Sequence, residues 1–264
     1  MMRRLDWAEY RAPELAAIDP MRTVALLPTA AIEQHGPHLP LGVDAMIAEG
    51  MLATLREICP GDIDLRILPV QAVGKSNEHL WAAGTLTLSA ETALRAWVEI
   101  GLSVARAGVR KILILNSHGG NADLVAIVAR ELRVQAGMLA VRAHWAGFGA
   151  PEGMYSPREL TYGIHGGDME TSLMLHFRPG TVEMAAAADF PSAAETAPIP
   201  PVGGAALAWV ASDLNPAGVM GEAHLATAEK GRATAAHQAA GVVGLLRDLA
   251  ALPLEGIAPR PGPA

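Results

Sequence analysis

The sequence predicts an α/β fold with a mostly parallel central sheet, and three observations carry that expectation. Strand-like and helix-like segments alternate through the first half of the chain, a β-α-β-α-β rhythm that calls for parallel pairing with helical crossovers. The run Lys111-Ile112-Leu113-Ile114-Leu115 is apolar without alternation after its lysine, as in a strand covered on both faces. Polar clusters around His35, His118 and His144 each follow an apolar strand-like run. That is where such sheets place their ligand sites, beyond the carboxyl ends of the strands.

Each element has its own signal. Met1 to Pro20 reads as an irregular or helical lead-in, and Thr23-Val24-Ala25-Leu26-Leu27-Pro28 as the first buried strand. A helix over Asp44–Ile58 follows from Met46, Ile47, Met51, Leu52 and Leu55 at helical spacing. Ile67-Leu68-Pro69-Val70 predicts a short strand, and Val73 to Thr87 a Gly-containing loop that holds Lys75, Ser76, Asn77, Glu78, His79 and Trp81. Ser89 caps a long helix through Ala107 that Gly108 stops. The central strand at Lys111 leads to a helix over 122–136, then a strand over 138–143. Thr181 to Pro201, rich in Ala and Pro, reads as surface loop, Asn215-Pro216-Ala217-Gly218 as a turn, and Thr227 to Leu252 as a closing helix. The whole of 1–264 is expected to form one domain, with 1–20 as lead-in and 254–264 as a frayed Pro-rich tail.

Composition narrows the function classes. The 264 residues are 51% hydrophobic and carry a formal charge of −7, which disfavours nucleic acid or an anionic membrane as partner. The single cysteine, Cys59, excludes an intramolecular disulfide framework and any thiolate zinc cluster. No signal core and no apolar span of membrane length occurs, so a cytoplasmic location is expected.

Three segments carry chemistry. Glu33-Gln34-His35-Gly36-Pro37-His38 with Asp44 gathers carboxylates and imidazoles in a loop stiffened by Gly36-Pro37 and Leu39-Pro40. Asn116-Ser117-His118-Gly119-Gly120-Asn121 puts a histidine at a strand tip ahead of a helix N-terminus. His165-Gly166-Gly167-Asp168-Met169-Glu170 opens another helix, with Glu170 in its first turn. Each alone also reads as a polar loop, a tight turn or a helix-capping acid. Together, three clusters of metal-ligand types at element termini point to a metal site. A nucleophile-based hydrolase is disfavoured: there is no G-x-S-x-G elbow, and Cys59 has no obvious basic neighbour.

The succession E-Q-H-G-P-H-L-P-L-x-x-D, N-x-H-G-G-N and H-x-G-x-x-E-T-S resembles the creatininase (creatinine amidohydrolase) family. The likeness extends to Gly84–Leu88 and Ala226–Gly231 and so spans most of the chain. It implies a three-layer α/β/α domain, hydrolysis of an amide-type C–N bond other than a peptide bond, and a homo-oligomer, with hexamers known. It also implies two divalent ions, Zn²⁺ foremost, with Mn²⁺ and Fe²⁺ as alternatives suited to oxygen and nitrogen donors. Carried over by position, Glu33 and His118 bind one ion, His35 the other, and Asp44 bridges them. Such a pair activates water and polarises a carbonyl. His165 is placed for proton transfer or oxyanion stabilisation, and Trp145, His79, Gly119, Gly120 and Asn121 are expected along the substrate pocket.

Two departures bear on the substrate. Creatinine-hydrolysing members carry a metal-binding Glu two places after the loop histidine, where this chain has Gly120, and a pocket Trp where it has Thr161. Both predict poor turnover of creatinine, with Thr161 leaving unfilled volume. The second ion then needs another carboxylate, and Glu170 is expected to supply it, with Asp168 as the alternative and a catalytic share for Glu170. Hydrolysis of a cyclic ketone or diketone by the same site, and a metal-binding member without turnover, are the competing readings.

Overall fold

β1 (Val24–Thr29) is the axis of the sheet, flanked by β2 (Leu65–Ile67) on one side and β3 (Lys111–Asn116) on the other, with β4 (Leu139–His144) outermost. All three pairings are parallel. The computed structural model describes residues 3–255, and the expected Pro-rich tail lies outside them from residue 256 onward. Between the strands run α2 (Val43–Ile58), α3 (Ala90–Arg106) and α4 (Ala122–Ala136), after a short α1 (Ala12–Ala16) in the lead-in. Beyond β4 come α5 (Pro157–Tyr162), α6 (Asp168–Phe177), α7 (Ala211–Leu214) and the long α8 (Ala228–Ala251). Ser89 and Thr227 cap α3 and α8 by accepting from backbone N–H groups three residues on.

Burial on both faces explains the unbroken apolar strands. Val24, Leu26, Leu113 and Leu115 pack with Met51, Leu55, Leu173, Met174 and Leu246, so α2, α6 and α8 cover one face. Ala25, Leu27, Ile112 and Ile114 pack with Trp97, Val104, Val128 and Leu132, so α3 and α4 cover the other. This is the three-layer α/β/α arrangement. Gly231 sets the approach of α8 to α6, because a Cβ there would collide with the Ser172 carbonyl.

Three findings differ from the expectations. The second strand ends at Ile67 rather than starting there: Leu68 N–H still donates to Leu26 O at 2.9 Å, but Pro28, the next residue of β1 on that side, has no N–H to give. Pairing resumes beyond this gap, where the Gln71 N–H donates to Pro28 O at 2.9 Å. The Thr181–Pro201 excursion contains β5 (Asp189–Phe190), paired antiparallel with β6 (Gly221–Glu222), two strands too short to show a period. Short α5 and α7 likewise leave no periodic trace. No helix among the described residues is long and apolar enough to cross a membrane.

Register positions the site. Thr29 pairs with Asn116, and Asn116 with His144, so β1, β3 and β4 end level. The loops after β1 and β3 therefore leave the same edge of the sheet side by side.

Candidate metal centre

The loop after β1 is folded by its own backbone. Glu33 N–H donates to Leu41 O at 2.9 Å, closing the loop ahead of α2. Gly36 takes a left-handed φ of 72° that turns the chain between His35 and Pro37. Asp44 then sits buried in the first turn of α2, where the helix dipole favours a negative charge. His38 does not join the site. Its Nε2 contacts Gly166 O and Thr171 Oγ1, both at 3.0 Å, and so ties this loop to the start of α6.

Backbone carbonyls fix which nitrogen each site histidine presents. His35 Nδ1 lies 3.0 Å from Glu33 O and must donate, so its Nε2 carries the lone pair. That Nε2 faces Asp44 Oδ2 at 3.9 Å and Glu170 Oε2 at 3.8 Å. His118 Nε2 donates to Lys75 O at 3.0 Å, leaving Nδ1 toward Glu33 Oε1 at 3.2 Å and Asp44 Oδ2 at 3.6 Å. His165 Nε2 donates to Gln34 O at 2.7 Å, leaving Nδ1 3.5 Å from Glu33 Oε1. His79 is turned the other way: its Nδ1 accepts from Gln34 Nε2 at 2.8 Å, so its N–H faces Glu33. Histidines held by a backbone acceptor on one nitrogen are pre-set as ligands or proton acceptors on the other.

The residues fit divalent cations. Among the described residues, Glu33 Oε1 and Oε2, His35 Nε2 and Asp44 Oδ2 are buried without a hydrogen-bond partner. Native interiors rarely leave such atoms unpaired. They converge, and the ligand-capable sets Glu33–His35–Asp44, His35–His165–Glu170 and Glu33–Glu78–His118 interlock in one volume. The donor set is oxygen and imidazole nitrogen only, as Zn²⁺, Mn²⁺ or Fe²⁺ accept.

Electrostatics leads to the same conclusion. Burial would raise the Glu33 carboxyl, but His118, His165 and His35 outweigh it and hold it well below the usual range. Burial and the Glu33 charge push Asp44 well above its usual value. Burial would lower His118, yet Glu33 and Asp44 raise it well above an ordinary imidazole. Burial also brings His35 and His165 down to about 4. Two neighbouring buried carboxylates cannot both ionise without positive charge between them, and a divalent cation supplies it.

A cavity of about 570 Å³ opens over this cluster. Glu33, Asp44, His79, His118, Gly119, Gly120, His165 and Glu170 lie on its wall. Val202, Leu207, Trp209 and Val210 form an apolar rim, in a segment folded on itself by Trp209 Nε1 donating to Pro201 O at 2.8 Å.

Not every expected residue is here. Trp145 is buried in the same core cluster as Leu173 and Met174 and is off the cavity wall. Its turn is held to α8 by Gln238 Nε2 donating to Gly149 O at 3.0 Å. Asn121 is a staple: it donates to Ala30 O and accepts from Lys75 N, each at 3.0 Å, joining the ends of β1 and β3 to the loop at Gly74. Thr161 is exposed and bonds Pro157 O within α5, so it frees no cavity volume. His144 is likewise absent from the wall.

Lys230 separates Asp168 from Glu170: its ammonium pairs with Asp168, while Ser172 Oγ donates to the other Asp168 oxygen at 2.9 Å. Glu170 alone turns toward His35. Its Oε2 also accepts from Gly166 N at 2.6 Å. Sequence reasoning missed Glu78, Gln34 and the apolar rim. Glu78 had a signal, standing beside His79 in the polar loop, whereas the rim had none.

Comparison with known proteins gives a consistent picture. Residues 8–246 match the creatininase family, described as creatinine amidohydrolase. The chain is 32% identical over 217 residues to a mycofactocin precursor peptide peptidase of Mycobacterium ulcerans (strain Agy99), covering 78% of each. It is 30% identical over 205 residues to a creatinine amidohydrolase of Pseudomonas putida, covering 72% of this chain and 76% of that one. Among solved structures, a manganese creatininase superposes with a TM-score of 0.74 at 23% identity, covering 93% of this chain and 98% of that one. A creatininase mutant of Zn-Zn type gives 0.73 at 23% identity with the same coverage.

Proposed function

This chain belongs to the creatininase family, and we propose that it hydrolyses an amide C–N bond flanked by apolar groups, with two divalent ions held at the sheet edge. The observation that carries this reading is the convergence of four unpartnered buried ligand atoms from Glu33, His35 and Asp44 on one volume. Glu33, Asp44 and His118 Nδ1 would hold one ion, and His35 Nε2, Asp44 and Glu170 the other. When bound, the ions lower the pKa of a water and polarise the substrate carbonyl.

The chain's own groups do the rest. His165 is neutral near pH 7, since burial lowers it to about 4. With Nε2 anchored on Gln34 O, its Nδ1 is the proton acceptor on the cavity wall and can return that proton to the departing nitrogen. Val202, Leu207 and Trp209 exclude water and contact an apolar side chain of the substrate. Both the cavity volume and this rim support a substrate larger than a single small ring. The similarity to peptide peptidases favours an amide within a short peptide, so peptide bonds are included in the proposed range. A lactam or formamide is the second reading, which the resemblance to creatinine amidohydrolases supports.

A turnover screen tests the proposal. Peptides with apolar residues flanking the scissile bond should be cleaved faster than creatinine, formamides or cyclic diketones. His165→Ala should lower kcat by about 10²–10⁴-fold with metal content unchanged. Faster turnover of creatinine than of any peptide would overturn the substrate reading, and loss of an ion in His165→Ala would make His165 a ligand.

A further inference from the structure

The cavity wall holds one more buried carboxylate, which neither the ion sites nor the proton transfer above employs. Glu78 is buried on the wall, with Oε2 held 2.8 Å from Lys75 Nζ. Its Oε1 lies 3.4 Å from the His118 ring. That ring's Nε2–H is already engaged by Lys75 O at 3.0 Å, so Oε1 is not needed to orient the imidazole. Oε1 instead shares a ligand-sized volume with Glu33 and His118.

The neighbouring glycine shows that this placement is built in. Gly119 and Gly120 are adjacent, yet a Cβ on Gly119 would meet open space, whereas one on Gly120 would collide with Glu78 Oε1, His118 Nε2 and Lys75 O. Gly120 does not have a left-handed φ. Space rather than backbone conformation is therefore what requires glycine there. The carboxylate of Glu78 occupies the volume that the missing side chain leaves.

We infer that Glu78 is a further ligand to the first ion, completing the set of Glu33, Asp44 and His118 through Oε1 while Lys75 fixes its other oxygen. This rests on the two-ion reading above. It gives the first ion four protein ligands, the number a well-held Zn²⁺ takes, and leaves Lys75 as a positioning residue for the fourth.

The test reads metal binding rather than turnover. Wild type, Glu78→Gln and Gly120→Ala are stripped, titrated with Zn²⁺ against a chelating indicator, and followed by the rise in Tm on loading. Wild type should take up two ions. Glu78→Gln should keep one at wild-type affinity and lose at least about 10-fold at the other, with the metal-free Tm unchanged. Gly120→Ala, whose Cβ would crowd Glu78 Oε1 most closely and the His118 ring after it, should weaken the same ion and leave the other at wild-type affinity. Wild-type affinity at both sites in Glu78→Gln would overturn the inference while leaving the two-ion reading intact. Uptake of fewer than two ions by wild type would overturn both.

Discussion

Two groups of buried carboxylates, Glu33 with Asp44 and Glu159 with Asp168, share residue types and burial but differ in their surroundings. Glu159, 3% exposed, accepts from Met169 N at 3.1 Å and from Glu222 N at 2.8 Å. Asp168, 1% exposed, is paired with Lys230 and Ser172. Glu33 and Asp44 are equally buried, yet three of their oxygens have no hydrogen-bond partner among the described residues. Satisfied carboxylates hold elements together, and unsatisfied ones facing each other are set up for a cation. The difference lies in the neighbours, not in the residue types.

Removing charge from each group should break the comparison most sharply. Asp44→Asn should weaken binding of both proposed ions and abolish activity, since this carboxylate faces both His35 and His118, whereas Asp168→Asn should leave ion binding unchanged. The cost at Asp168 should appear in folding instead, about 1–3 kcal/mol for a buried partner left unpaired. Metal titration and denaturant unfolding of the two variants check this. Equal ion loss in both would erase the distinction.

A smaller effect sharpens the same contrast through pH. Burial raises the Glu159 carboxyl to about 7, outweighing its two backbone donors. The folded state then binds more protons than the unfolded chain between about 4.5 and 7. Stability from this group is full below the lower value and lost as pH rises through the upper one. Over that window the wild type should lose on the order of 3 kcal/mol relative to Glu159→Gln, a gap measurable by urea unfolding at several pH values. A constant gap would show that Glu159 stays ionised throughout.

Much of this was legible in the sequence, for reasons that also mark its limits. The strand at Lys111 and the helix over 122–136 read correctly because continuous apolarity, and the glycine turn that separates the strand from the helix, are local signals. The convergence of His35 and His118 was legible because both follow strands that end level. The missing N–H of Pro28 on the facing strand set the end of β2, a constraint that a count of apolar residues in β2 overlooks. What depended on distant partners was not readable from order alone. Asp168 is excluded from the site by a lysine 62 residues away. Trp145 and Asn121 were drawn into the core and the loop staple, and Trp209 reached the rim from a segment without periodicity.

The most direct measurement is an anomalous-difference map from crystals of the metal-replete protein, recorded on both sides of the metal absorption edge. Two peaks should appear, one contacted by Glu33 and His118, the other by His35 and Glu170, with Asp44 reaching both. A single peak, or two that Asp44 does not bridge, would contradict the proposed centre.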